Sequence, residues 1–150
     1  MSEASERPTP TTGSAPPGHE FVDHPSEAHI LVRGRTLAEV AAEAGLALAG
    51  LALGEPLPRA MGPWREVDVR SRDRIALLVD WLNELIYLGE SERWIPLEFD
   101  VLEATTTHIR ARMRGVERPE SPSLVKAATY HGATLENAGG GLEAHLLLDV

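Results

Sequence analysis

Cysteine is absent from the 150-residue chain, which excludes disulfides, thiol catalysis and thiolate zinc sites together. No excess of positive charge is present either. The formal net charge is -9, whereas gripping phosphate backbones takes clustered Lys and Arg, so direct binding of nucleic acid is disfavoured. Long apolar runs are missing: the longest weakly polar stretch, Ala44 to Gly54, is glycine-rich and short of the ~20 residues a bilayer requires. Met1 to Thr12 contain no apolar stretch resembling a secretory signal, and the expected location is the cytosol. Phosphate loops, dinucleotide fingerprints, nucleophile elbows and zinc-protease motifs are absent as well. Lysine is almost missing, because 13 of the 14 basic residues are Arg and Lys126 is the exception.

With 43% hydrophobic and 25% charged residues, the chain has the composition of an ordinary globule rather than a disordered or fibrous one. Its length suits one domain with one self-sufficient core. Met1 to Gly18 carry Pro8, Pro10, Pro16 and Pro17 among Ser, Thr and Gly, which reads as a disordered leader before a domain spanning 19–150. Glu20 to Asp23 and Ala28 to Gly34 read as short strands around His24-Pro25-Ser26-Glu27. Thr36-Leu37-Ala38-Glu39 is a capping box opening an alanine-rich helix that ends at Gly50 or Gly54, with side chains small enough to approach a sheet closely. Trp64 to Arg70 alternates as a half-buried strand.

Asp73 caps a second helix reaching about Leu88. Ile75, Leu78, Val79, Leu82, Leu85 and Ile86 form one apolar stripe and Leu77, Trp81 and Leu88 a second, so the helix is expected to be central to the core. Ile95 to Val101 and Ile109 to Met113 alternate as a hairpin, whose polar face sets Glu98 and Asp100 near Arg110 and Arg112 as cross-strand pairs. Pro119 and Pro122 mark a loop. Val125 to Glu136 and Leu142 to Asp149 form the last two strands, joined by Asn137 to Gly141. The expected class is α+β: a mainly antiparallel sheet of about seven strands with two helices packed against it.

Two places hold residues capable of chemistry. His19, Asp23, His24, Glu27 and His29 surround the first turn, either as solvated loop polarity, the commoner cause, or as a metal site. Asp149-Val150 follow a buried-looking strand that would hold their carboxylates in place. Lys126, alone among arginines, hints at a need for a compact ammonium with rotatable donors, although an incidental strand lysine is the blander reading.

The order of His24-Pro-Ser-Glu27, the capped alanine-rich helix, Leu78-Val79-Asp80-Trp81-Leu82-Asn83-Glu84-Leu85, Lys126-Ala-Ala-Thr-Tyr-His131 and Asp149-Val150 resembles the archease family, across nearly all of Glu20 to Val150. Archeases are protein cofactors of the RtcB-type RNA ligase, which uses GTP and manganese and a guanylated histidine. The resemblance implies a non-enzymatic activator that promotes ligase guanylylation and multiple turnover in tRNA splicing or RNA repair, touching RNA only indirectly. It also implies a divalent ion, calcium by preference and magnesium or manganese otherwise. Glu27, Asp149 and the Val150 carboxylate would stand where the family's metal ligands stand, and Lys126 where it has a functionally important lysine. Pro25, Ser26 and Glu27 replace the family's Thr, Ala and Asp, and His29 replaces a common Gly. Glutamate keeps a hard oxygen donor on a longer arm. Two other functions are compatible with the residues: a chaperone-like binding module using the second apolar stripe, and a metal-dependent hydrolase using His24, Glu27 and His131.

Overall fold

Strand alternation and helical spacing resolve into seven strands and two helices. The computed structural model describes residues 16–24, 27–118 and 125–150. Their order is β1 (Gly18–His24), β2 (Glu27–Gly34), α1 (Leu37–Leu53), β3 (Met61–Arg70), α2 (Arg74–Ser91), β4 (Trp94–Ala104), β5 (His108–Glu117), β6 (Ala127–Ala138) and β7 (Gly141–Asp149). Gly18, read from sequence as the end of the leader, already belongs to β1. The rest of that leader up to residue 15, the Pro25-Ser26 turn and the Pro119 and Pro122 loop lie outside the described residues.

The strands divide between two sheets, one ordered β1-β2-β7-β6 and the other β3-β5-β4. All pairings are antiparallel. Both helices touch both sheets: α1 packs on β2 and β4, and α2 on β6, β3 and β4. The helices thus form the layer that joins the sheets, and the expected antiparallel strands and two helices are present, with the strands divided between two sheets. This is why α2 is apolar on two sides. Leu77, Leu78, Trp81 and Leu82 are all 0% exposed, and the buried Trp81 indole N–H donates to the Ala41 carbonyl of α1 at 2.8 Å, the partner such a ring requires.

Local chemistry sets the helix starts. The Thr36 hydroxyl accepts from the Glu39 N–H at 3.2 Å, and the Asp73 carboxylate accepts from the Ala76 N–H at 2.8 Å, each satisfying an orphan donor. The capping box is displaced by one residue on its return arm, because the Glu39 carboxylate accepts from the Arg35 N–H at 2.7 Å rather than from Thr36. Small residues bring α1 close to β4. At Gly45 a Cβ would fall 2.4 Å from the Phe99 ring tip.

Turn residues and bulges set the registers. The β6–β7 turn is tighter than the five-residue span expected, since Ala138 pairs with Gly141 and only Gly139 and Gly140, at φ of 58° and 84°, turn the chain. Positive φ at both central positions matches a type I′ hairpin turn, for which glycine is favoured. Along β4, irregularities at Pro96/Glu98 and Val101/Glu103 shift the register. Asp100 pairs with Arg112 at 2.7 Å as expected, but Glu98 faces Arg114 at 3.7 Å and Glu103 faces Arg110 at 4.0 Å. The arginine stripe of β5 is therefore balanced by carboxylates on its own sheet.

Candidate functional site

Three chain segments meet at one end of the four-stranded sheet. Glu27 opens β2 and Asp149 closes β7, and the two are direct cross-strand partners. Asp149 also pairs with Ala127 of β6, and the Lys126 N–H donates to the Asp149 carbonyl at 2.8 Å. His24 of β1 is the partner of Glu27 on the other side. One rung of backbone thus carries His24, Glu27, Asp149 and Ala127 across four strands, with Lys126 adjoining it.

Alternation decides which way the rung faces. Ile30, Val32, Leu146 and Leu148 are at most 1% exposed and belong to the helix-facing core, so Glu27, His29, His145, Leu147 and Asp149 project from the opposite face. Lys126 and Asp149 are exposed, as is Val150. The first-turn cluster therefore splits. His19 instead bonds through Nδ1 to the Glu43 carboxylate of α1 at 3.1 Å, and Asp23 falls on the rung below, paired with Ala28. His131 is exposed in the irregular stretch of β6 between Thr129 and Thr134. Because β7 stands between β2 and β6, the strands of Glu27 and His131 lie about 10 Å apart, and His131 is not brought beside Glu27.

The surrounding polar groups brace the outer face. The Glu27 carboxylate lies 3.0 Å from His29 Nε2. Further along, Arg33 reaches Glu20 through Nη1 at 2.9 Å and Glu143 through Nε at 3.0 Å, tying β1, β2 and β7 together. Burial alone would lower the Arg33 pKa, but the hydrogen bonds and charges of Glu20 and Glu143 outweigh it and raise the pKa above its ordinary value. As chemistry, the rung offers two hard carboxylates from separate strands and one ammonium. Such oxygens suit calcium, magnesium or manganese, so Glu27 and Asp149 fit as a donor pair that needs further oxygens to complete a shell. Among the described residues no three His, Asp or Glu side chains are close enough to hold an ion.

Asn83 completes the site's support. Its Nδ2 donates to the Ala128 carbonyl at 3.0 Å and its Oδ1 accepts from the Ala128 N–H at 2.8 Å. In the sequence Asn83 stood out only as part of the family-like stretch Leu78 to Leu85, and periodicity did not reveal that role. Ser71 donates to the neighbouring Asp80 carboxylate at 2.7 Å. Among the described residues no helix is long and apolar enough to cross a membrane.

Comparison with known proteins follows the same span. Residues 19–150 match the model of the Archease protein family (MTH1598/TM1083). The chain is 33% identical over 141 residues to Protein archease of Methanosarcina mazei, covering 88% of this chain and 95% of that protein. It is 31% identical over 141 residues to Protein archease of Methanothermobacter thermautotrophicus, covering 89% and 99%. The solution structure of Methanobacterium thermoautotrophicum protein 1598 superposes with a TM-score of 0.71 at 29% identity, over 89% of this chain and 99% of that one. A crystal structure of a Thermotoga maritima archease, described as a possible chaperone, shares the fold with a TM-score of 0.61 at 17% identity, over 99% and 100%.

Proposed function

Because this chain belongs to the archease family, we propose that it is a protein cofactor of an RtcB-type RNA ligase, promoting GTP-dependent guanylylation and repeated turnover without itself joining RNA. The observation that carries this reading is the meeting of Glu27, Asp149 and Lys126 at one exposed end of the four-stranded sheet. A divalent ion of the calcium class, with magnesium or manganese as alternatives, would be held by oxygens of Glu27, Asp149 and Val150 and would supply positive charge beside phosphoryl oxygens. Lys126 supplies a compact ammonium on a flexible stem, suited to countering charge that develops during nucleotidyl transfer. Its backbone is held by Asp149, so the ammonium is presented from a fixed point. The net charge of -9 fits a protein that addresses the ligase and leaves RNA contacts to it.

The test combines purified ligase, GTP, manganese and RNA with phosphate and hydroxyl ends. Guanylylated ligase and joined ends per ligase are measured across a titration of this protein. Faster guanylylation and more than one turnover are expected, with no joining by this protein alone. An unchanged ligase over the whole titration would overturn the reading. RNA cleavage by this protein alone would favour the hydrolase alternative, and suppressed client aggregation without a ligase effect the chaperone-like one.

A further inference from the structure

His145 takes no part in the site described above, yet its Nε2 is buried and has no hydrogen-bond partner among the described residues. Buried polar atoms are nearly always satisfied by protein, water or an ion, so this nitrogen calls for an explanation. Its neighbourhood provides one. His145 sits opposite Leu31 on β2, and His29 sits opposite Leu147 on β7, which places the two imidazoles on one diagonal of the outer face and the two leucines on the other. The ring centroids are 5.2 Å apart at an interplanar angle of 60°.

That spacing, within the range of ordinary ring packing, also admits one ion shared by the two rings. Two imidazoles on one tetrahedral zinc ion, with Zn–N bonds of about 2.0–2.1 Å, have ring centres about 5 Å apart. The Glu27 carboxylate, 3.0 Å from His29 Nε2, matches the carboxylate–histidine arrangement that orients metal-ligating imidazoles. The tautomer that donates from Nε2 to Glu27 carries its lone pair on Nδ1. Leu31 and Leu147 add an apolar border, which strengthens electrostatic contacts at such a site.

We propose that His29 and His145 bind a transition-metal ion of the zinc class across β2 and β7, with Glu27 orienting His29 and water completing the coordination. With two protein donors the site is open. It differs from the carboxylate rung in ligand softness, and it stands whether or not the chain stimulates a ligase, because its readout is metal binding alone.

The experiment titrates the full chain with Zn²⁺ by calorimetry and with Co²⁺ by visible absorption, which reports imidazole coordination. One equivalent with tetrahedral-type Co²⁺ bands is expected. His29→Gln and His145→Gln should each abolish the bands, and Glu27→Gln should weaken Zn²⁺ binding about 10- to 100-fold. His131→Gln should leave the Zn²⁺ titration unchanged, with circular dichroism confirming that all four variants fold. Co²⁺ bands that survive His145→Gln, or that are lost in His131→Gln, would overturn the proposal, as would parent protein without Co²⁺ bands.

Discussion

Asn83 grips the peptide of Ala128 from both sides, donating to its carbonyl and accepting from its N–H. It thereby acts on the edge strand β6 as a neighbouring strand would, and it does so two residues from Lys126. Helix α2 is thus coupled to the site through one side chain.

Asn83→Ala removes both bonds and leaves the Ala128 peptide to find other partners. The expected cost is about 1–3 kcal/mol, read as a lower urea midpoint with an unchanged slope. If ligase stimulation falls further than the loss of folded protein explains, the amide also sets the position of Lys126. An unaltered midpoint would mean that the pair contributes no net stability.

For Lys126, shape is predicted to matter along with charge. Lys126→Ala should reduce ligase stimulation about 10²-fold, the effect of losing one charge-stabilising donor. Lys126→Arg should fall short of the parent because a planar fork does not reproduce an ammonium. The exposed position leaves the melting temperature of both variants near that of the parent. Equal stimulation by parent and Lys126→Arg across a titration would remove the residue from the proposed role.

On the carboxylate rung, Glu27→Gln and Asp149→Asn each delete one negative oxygen donor. Calcium affinity depends on ligand charge, so each should weaken calcium binding by about tenfold or more. Isothermal calorimetry on folded variants checks this. Affinities matching the parent in both would show that the rung does not hold the ion.

Gly45→Ala sets two effects against each other. Alanine gains about 1 kcal/mol over glycine within a helix, but its Cβ would fall 2.4 Å from the Phe99 ring, and overpacking costs about 1–3 kcal/mol. Phe99 is itself set against the buried Trp81, with centroids 6.0 Å apart, so the ring has little room to yield. Net destabilisation is expected, and Phe99→Leu in the same chain should recover part of it. A Gly45→Ala protein more stable than the parent would mean that the ring swings aside.

Much of this architecture was legible because it is local. The Thr36 and Asp73 caps, the two stripes of α2 and the alternation of β5 follow from spacing alone. The division into two sheets was not legible, since alternation marks a strand's buried face without naming its neighbours. The same limit hid His145: only the register of β7 against β2 brings it to His29. Bulges in β4 carried Glu98 to Arg114, and no periodicity announces a bulge. The family resemblance named Glu27, Asp149 and Lys126, but only the registers of β2 and β6 on β7 bring all three to one end of the sheet, and the clamp by Asn83 required the packing of α2 on β6.

The pairing of β2 with β7 also has a meaning in time. It joins an early part of the chain to a late one, with α1, the whole three-stranded sheet and α2 lying between them in sequence. Contacts of such long sequence separation are slow to form, because loop closure must precede the reward. A growing chain can build its helices and the β3-β5-β4 sheet while the rung of Glu27 and Asp149 does not yet exist. The proposed functional end of the molecule is consequently among the last things a nascent chain acquires, and a protein stalled before β7 would hold most of its core and none of its proposed activity.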